Sequence, residues 1–200
     1  MKTTQEKYNN FLISGFGRSG TKFLSSIMNK SVTWVVNHEP RGAYEEMLYK
    51  KGLPIDDKVV NNFKNNNYGE VNSRMRFYFN DIDVEKKGII IRDPKEIITS
   101  ICNRNKTEVE ITRIIDELNV FWHKFHEWIE LGGVLKIDFN SMTNDADYLK
   151  NVLTHFGISD VEINEEIFKN KINKNNNVKY KLFEDLPNKF KDNFNKLDWD

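Results

Sequence analysis

The sequence is poor in cysteine, and its charges are balanced. Cys102 is the only cysteine among 200 residues, so no disulfide can form within the chain, and we expect a reducing, cytoplasmic setting. Thirty basic and thirty acidic residues give a formal net charge of +0. A balanced charge disfavours broad attraction to nucleic acid or to an anionic membrane, and we expect neither as a partner. Positive charge that serves a function should therefore be concentrated locally.

Long apolar runs are also missing. No segment approaches the roughly 20 apolar residues of a membrane span. Residues 1–10 are polar and lack the apolar core of a secretory signal, so they are interpreted as a polar extension of a soluble protein. The histidines are few, and His123 and His126 have no partners at metal-ligand spacing. We therefore expect no metal site.

The residues that are present suit a single enzyme domain spanning residues 1–200. Hydrophobic residues make up 38% of the chain and aromatic residues 12%, which is enough to fill a core. Short apolar strands are predicted at 11–15, 33–36, 68–72, 88–92 and 133–137. Helices are predicted between and after them, at 20–29, 43–50, 57–65, 94–103, 108–131, 146–156 and 184–196. This alternation predicts an α/β fold with three layers, in which a mainly parallel sheet is flanked by helices.

A glycine-rich turn follows the first predicted strand. Its glycines, Gly15, Gly17 and Gly20, are expected to allow positive φ and to bring backbone amides close to an anion. The helix that follows directs its positive dipole end to the same place. Charge and hydroxyl donors are added by Arg18, Ser19, Thr21 and Lys22. The segment predicts a phosphate-binding cradle, although Thr21-Lys22 inverts the final Lys-Ser/Thr pair of a Walker A loop.

A second group of phosphate-type donors follows the fourth predicted strand. Arg92 ends the apolar run 88–91, and Asp93-Pro94 is a typical helix start, with a capping aspartate and a proline at the first helical position. Ser100 and Arg104 lie four residues apart and therefore share one face of that helix. Arg92, Ser100 and Arg104 can converge on one anion. Without a ligand, Arg92-Asp93 would be a local ion pair and Ser100 ordinary helix surface.

Together these two segments resemble the sulfotransferase family. Gly17–Thr21 is similar to the loop with which that family binds the 5′-phosphosulfate of 3′-phosphoadenosine 5′-phosphosulfate (PAPS), and Arg92, Ser100 and Arg104 match its 3′-phosphate site. The resemblance implies a P-loop-like fold and transfer of a sulfuryl group from PAPS, without a metal. The product would be adenosine 3′,5′-bisphosphate. The acceptor would carry a hydroxyl or amine and would be a small molecule, a sugar or a peptide.

The resemblance extends more weakly along the chain. Residues 134–142 and 147–157 look like the family's strand, acidic turn and helix, but they lack its usual Tyr-Glu pair. Residues 170–183 occupy the place of a mobile basic loop that closes over the bisphosphate in the family. Asn173 and Lys179 are the corresponding cofactor-binding candidates. The alternative interpretation is a solvated Asn/Lys-rich loop.

Two candidate bases follow the second predicted strand. Glu39 lies twenty-one residues after Arg18, an interval that resembles the tyrosylprotein branch of sulfotransferases, where a glutamate takes the acceptor proton. His38 is the alternative, because a histidine has this role in the branch that acts on small phenols and alcohols. Glu39 is favoured. It could instead pair with Arg41 in a strand-end turn.

The resemblance implies that Arg18 and Lys22 neutralise charge on the bridging oxygen and the leaving phosphate. Many relatives add a lysine before the Arg-Asp-Pro strand, and residues 68–76 contain no clear match to it. Arg74, Arg76 or Lys22 itself are the candidate replacements. The acceptor is expected to lie against segments 41–67 and 105–130. A P-loop nucleotide kinase and a non-catalytic nucleotide-binding module with the same fold are the alternative functions.

Overall fold

The sheet is built from short apolar segments that alternate with helices. The computed structural model describes residues 9–104, 106–169 and 179–199. Within them the strands are β1 (Asn10–Gly15), β2 (Val35–Asn37), β3 (Tyr68–Val71), β4 (Lys86–Ile91) and β5 (Val134–Asp138). They form one sheet in the order β2-β3-β1-β4-β5, and each neighbouring pair is parallel. All strand ends that carry the predicted site residues therefore lie at one edge of the sheet.

The strand order places a crevice between β1 and β4. From β1 the chain goes to β2 and β3 on one side of the sheet, and it then crosses to β4 and β5 on the other side. In open parallel sheets, ligands bind outside the carboxyl ends of the strands where the order reverses in this way. The glycine-rich turn follows β1, and Arg92 follows β4, so both lie at this crevice.

Helices and two 3₁₀ turns connect and follow the strands. The helices are α1 (Thr21–Met28), α2 (Tyr44–Lys50), α3 (Asp57–Asn62), α4 (Pro94–Cys102), α5 (Glu108–Glu130), α6 (Phe139–Asn144), α7 (Ala146–His155), α8 (Glu166–Lys169) and α9 (Asn188–Asn195). The 3₁₀ turns are Ser73–Tyr78 and Phe183–Asp185. Side-chain caps mark the starts of several of the helices, including α4 and α5. The Asp93 side chain accepts from the Lys95 amide at the start of α4, and Thr107 and Glu110 form a capping box at the start of α5.

Two apolar clusters cover the two faces of the sheet. Alternate residues of β1 point to opposite faces, so Leu12 belongs to one cluster and Phe11 and Ile13 belong to the other. The first cluster contains the inward stripe of α5, and the second packs α1 and α7 against the sheet. Helices on both faces of a parallel sheet confirm the predicted three-layer α/β architecture.

The predicted strands agree with the observed ones to within two residues at each end. The apolar stripe of α5 is core, as expected, because Ile115, Leu118 and Phe125 are buried. The last predicted helix, 184–196, was too long, since residues 183–185 form a 3₁₀ turn and α9 begins at Asn188. In the part of the chain that the structure describes, no helix has the length and apolarity needed to cross a membrane.

Candidate active site

One cleft of about 1030 Å³ opens at the carboxyl edge of the sheet. Residues that follow each of the five strands line it, and helices α4 and α6 form two of its walls. Its volume is just above the usual range for ligand pockets, about 300 to 1,000 Å³. The strand-end residues in its lining are Gly17, Arg18, His38, Glu39, Ser73, Arg74, Arg92 and Phe139.

The glycine-rich turn uses its three glycines differently. Gly20 adopts a positive φ of 99°, whereas Gly15 and Gly17 do not, which corrects the expectation that all three would. Gly15 is required by close packing, because a Cβ there would lie 2.5 Å from the Ser19 hydroxyl and 2.9 Å from the Ile90 carbonyl. A Cβ on Gly17 meets no heavy atom within 4 Å. Gly17 therefore leaves open space in the cleft.

Arg18 takes the left-handed conformation instead, with a φ of 78°. This conformation costs a non-glycine residue about 1 to 2 kcal/mol. Glu39 is also left-handed, with a φ of 44°, and it lines the same cleft. Strained residues of this kind are typical of functional sites, where the surrounding structure holds them in place.

The first turn of α1 is left without a side-chain cap. Gly20 occupies the N-cap position, and no side-chain hydrogen bond caps the helix, whereas α4, α5 and α7 each have one. Gly20, Thr21 and Lys22 line the cleft at this helix end. Uncapped first-turn amides and the helix dipole favour an anion at this position.

Ser19 departs from its expected role. Its side chain is fully buried beneath the turn, and its amide donates to the Phe16 carbonyl at 3.1 Å. The hydroxyl has no hydrogen-bond partner among the described residues. Ser19 therefore shapes the turn from below and does not line the cleft.

Three arginines converge across the crevice between β1 and β4. The Arg18 Nε donates to the Ser100 hydroxyl at 2.9 Å, and the Arg92 Nη1 donates to the Arg18 carbonyl at 2.7 Å. Burial lowers the pKa of Arg18, and the charges of Arg104 and Arg92 lower it further. Among the described residues, Glu96 is the one carboxylate within 4 Å of these guanidinium groups, 2.9 Å from the Arg92 Nε. The excess positive charge favours an anionic ligand.

The two candidate bases lie side by side in the cleft. Glu39 accepts a hydrogen bond from the Ser73 hydroxyl, and its Oε2 lies 3.8 Å from the Arg74 Nε. It does not pair with Arg41, which bonds to other carboxylates. The Glu39 carboxylate is thus held at the cleft by groups that follow β3.

His38 contacts the start of α1. Its Nε2 lies 3.4 Å from the Thr21 hydroxyl. Burial lowers the pKa of His38, the nearby Glu39 carboxylate opposes this effect, and Lys22 and Arg74 lower the pKa further. The net direction is downward, so the imidazole is neutral near pH 7 and can accept a proton.

The fold has a counterpart among solved structures. The chain superposes on the sulfotransferase domain from the Synechococcus PCC 7002 olefin synthase with a TM-score of 0.56 and 13% sequence identity, covering 99% of this chain and 91% of that chain. The fold is that of a sulfotransferase. No protein-family model matches the sequence, and no curated protein matches it. At this identity the similarity shows the fold alone, and the reaction must be argued from the cleft.

Of the two arginines considered as replacements for the family's lysine, the sulfotransferase fold brings only Arg74 to the cleft. Arg76 is buried in the core, where it pairs with Glu117 and lies 4.2 Å from the Phe77 ring centroid and 4.7 Å from that of Phe16. Residues of a 3₁₀ turn two positions apart point in different directions. Arg74 therefore remains, with Lys22, as a candidate for this role.

The expected acceptor segments do not reach the cleft. No described residue of 41–67 or 105–130 belongs to its lining. These segments pack elsewhere, and α5 is held by its apolar stripe in the core. Sequence reasoning did not single out α6 and α8 as contributors to the cleft. They contribute the lining residues Phe139, Asn140, Thr143, Asn144 and Phe168.

The predicted closing loop is described only in part. Asn173 lies outside the described residues. Lys179 lies beside the cleft but does not line it, and its Nζ is 5.0 Å from the Tyr180 ring centroid. Tyr180 itself does line the cleft, and the Asn103 side chain donates to its carbonyl at 2.7 Å. That contact joins the segment to the end of α4.

Proposed function

We propose that this protein is a sulfotransferase that moves a sulfuryl group from PAPS to a hydroxyl or amine acceptor. The observation that carries the proposal is that one cleft holds two positions whose chemistry suits an anion. One is the uncapped start of α1, and the other is formed by Arg92, Ser100 and Arg104. PAPS has a phosphosulfate and a separate 3′-phosphate, and two such positions match these two groups.

The residues present fit this ligand. Gly17 leaves open space where a side chain would obstruct a phosphate, and Lys22 and Thr21 stand at the helix end. Arg18 joins the two positions, because it follows β1 and bonds to Ser100 on α4. When bound, PAPS supplies the sulfuryl group, and adenosine 3′,5′-bisphosphate is the product. Arg18 and Lys22 would neutralise the charge that develops on the leaving phosphate.

Glu39 would accept the proton that the acceptor hydroxyl or amine loses. Its carboxylate is in the cleft, and Ser73 and Arg74 orient it. By analogy with phosphoryl transfer, positioning of the reactants and electrostatic stabilisation of the transition state supply most of the rate enhancement. His38 is neutral near pH 7 and lies beside Glu39, so it is the second candidate for this role.

A nucleotide kinase is the less favoured alternative. Such an enzyme needs an acidic residue near the loop to hold Mg²⁺. Asp93, after β4, accepts the Lys95 amide at 2.7 Å, and Glu70, in β3, is bonded to Arg41, so neither carboxylate lines the cleft. Glu39, Glu96 and Glu184 do line it. Glu39 is bonded to Ser73 and faces Arg74, and Glu96 pairs with Arg92. These contacts favour a nucleotide held by arginines and backbone amides.

The proposal is tested by incubating the protein with PAPS that carries labelled sulfur and with sugars, phenols, amines and tyrosine peptides. We expect label to appear in one acceptor class, together with one equivalent of adenosine 3′,5′-bisphosphate. Transfer of phosphate from ATP to any of these acceptors, with no transfer from PAPS, would contradict the proposal. Tight binding of PAPS with no transfer would favour the non-catalytic module.

A further inference from the structure

A group of buried charges lies behind the turn that carries His38 and Glu39. Arg41 donates through Nη1 and Nη2 to the two oxygens of Glu70, at 2.9 and 2.7 Å. Its Nε donates to Glu45 at 2.6 Å. Both glutamates are fully buried. The group does not line the cleft, and the proposed chemistry makes no direct use of it.

The charges in this group do not balance, because two buried carboxylates share one guanidinium. Burial alone would lower the pKa of Arg41, but the hydrogen bonds and charges of Glu70 and Glu45 outweigh it and raise the pKa. One oxygen of Glu45, Oε2, has no hydrogen-bond partner among the described residues. Removing ions from water is costly unless they are fully paired, so stability alone does not explain a second carboxylate.

Glu70 differs from Glu45 in what else it contacts. The Asn72 side chain donates to Glu70 at 3.2 Å and accepts from the Arg74 amide at 3.0 Å. Asn72 is also tied to β1, because its amide donates to the Ile13 carbonyl at 2.9 Å and its carbonyl accepts from the Ser14 hydroxyl at 3.0 Å. Glu70 therefore connects the turn after β2, through Arg41, with the segment after β3, through Asn72.

We propose that Glu70 is a positioning residue for Glu39. Arg41, bonded to Glu70, fixes the turn on which Glu39 stands, and Asn72, also bonded to Glu70, fixes the Ser73–Arg74 segment that faces the Glu39 carboxylate. Both sides of the Glu39 contact thus depend on one buried carboxylate. The consequence for catalysis rests on the proposed function, but the placement of Glu39 can be tested without any ligand.

The chain offers a matched control for this test. Glu70→Gln and Glu45→Gln each leave Arg41 with one carboxylate, so each variant balances the buried charge. Only Glu70→Gln breaks the two-point contact with Arg41, because one of the two oxygens that accept from Nη1 and Nη2 becomes an amide donor. Glu45→Gln leaves that contact and the bond between Glu70 and Asn72 in place. If the group served only to hold buried charge, the two variants would behave alike.

The readout is the NMR titration of the His38 imidazole. Glu39, Lys22 and Arg74 are the charged groups that shift the pKa of His38, and Glu39 is the one that raises it. We expect Glu39→Gln to lower the His38 midpoint in the parent protein and in Glu45→Gln. In the Glu70→Gln background, Glu39→Gln should lower the His38 midpoint by less than half as much, because Glu39 is no longer held beside His38.

The proposal would be overturned if Glu39→Gln lowered the His38 midpoint equally in the parent protein, in Glu45→Gln and in Glu70→Gln. It would also be overturned if Glu70→Gln and Glu45→Gln weakened this effect of Glu39→Gln to the same extent. If Glu70→Gln does not fold, Asn72→Ser replaces it, because serine can still accept the Arg74 amide but cannot donate to Glu70 in the same way. The titration needs no nucleotide, so its result does not depend on whether PAPS is the donor. If an acceptor is found, Glu70→Gln should lower kcat on the order of 10- to 100-fold with nucleotide affinity unchanged.

Discussion

Replacing Gly17 by alanine should stabilise the fold and weaken ligand binding. Its φ is outside the left-handed region, and a Cβ there meets no heavy atom within 4 Å. Gly17→Ala should therefore raise the free energy of unfolding by about 0.4 to 1 kcal/mol, because alanine has fewer unfolded conformations. The same methyl group lies in the cleft where the phosphate is expected. Loss of one charged hydrogen bond, about 1.5 to 3 kcal/mol, corresponds to roughly 10- to 150-fold weaker binding of adenosine 3′,5′-bisphosphate.

Gly20→Ala is the matched comparison in the same turn. Gly20 has a φ of 99°, and a Cβ there would lie 2.7 Å from the Phe139 ring. We expect this variant to lose at least about 1 kcal/mol of stability. Denaturant unfolding measures the free energy of unfolding of both variants, and calorimetric titration measures their affinity for adenosine 3′,5′-bisphosphate. Unchanged bisphosphate affinity in Gly17→Ala would refute the placement of the phosphate at this turn.

Three further predictions concern the arginines and the bases. Arg92→Ala should weaken a 3′-phosphorylated nucleotide by about 1.5 to 3 kcal/mol and barely affect one without that phosphate, measured by calorimetry; equal losses would make Arg92 structural. Glu39→Gln should lower turnover on the order of 10² to 10⁴ with unchanged nucleotide affinity, and His38→Gln should cost much less; the reverse order in steady-state assays would exchange the two roles. The folded-state pKa of His38 lies below its ordinary value of 6.5, so the unfolded chain binds more protons in the window between them. The free energy of unfolding should therefore fall as the pH drops through this window, and denaturation curves should show a smaller fall in His38→Gln.

The sequence was sufficient to predict the strands that carry Arg18 and Arg92 to the cleft. β1 and β4 are continuous apolar runs, and parallel strands bring their carboxyl ends to one edge, so residues after them must lie near each other. That reasoning placed Arg18 and Arg92 at one crevice. In the structure, the Arg92 Nη1 donates to the Arg18 carbonyl at 2.7 Å. It applied equally to β3, and it could have singled out Ser73 and favoured Arg74 over Arg76.

Other features depended on three-dimensional packing. Ser19 has the same chemistry as a phosphate-binding hydroxyl, but the absence of a side chain at Gly15 makes room for it beneath the turn. The helix α6 is only six residues long and mostly polar, so no periodic pattern predicted it, although Asp138 caps it by accepting the Ser141 amide. Glu70 and Asn72 are two residues apart and bond directly, but Arg41 reaches Glu70 from the turn after β2, and spacing along the chain does not reveal that contact.

The most direct test of the central claim is calorimetric binding of adenosine 3′,5′-bisphosphate compared with that of ATP and Mg²⁺. In the proposed function, the start of α1 and the group around Arg92 each bind one phosphate of the bisphosphate. We expect the bisphosphate to bind far more tightly, and at about 100 times its Kd it should stabilise the fold by roughly 2.7 kcal/mol. Preferential binding of ATP with Mg²⁺, or equal binding of both nucleotides, would contradict the assignment of this cleft to a PAPS-dependent sulfotransferase.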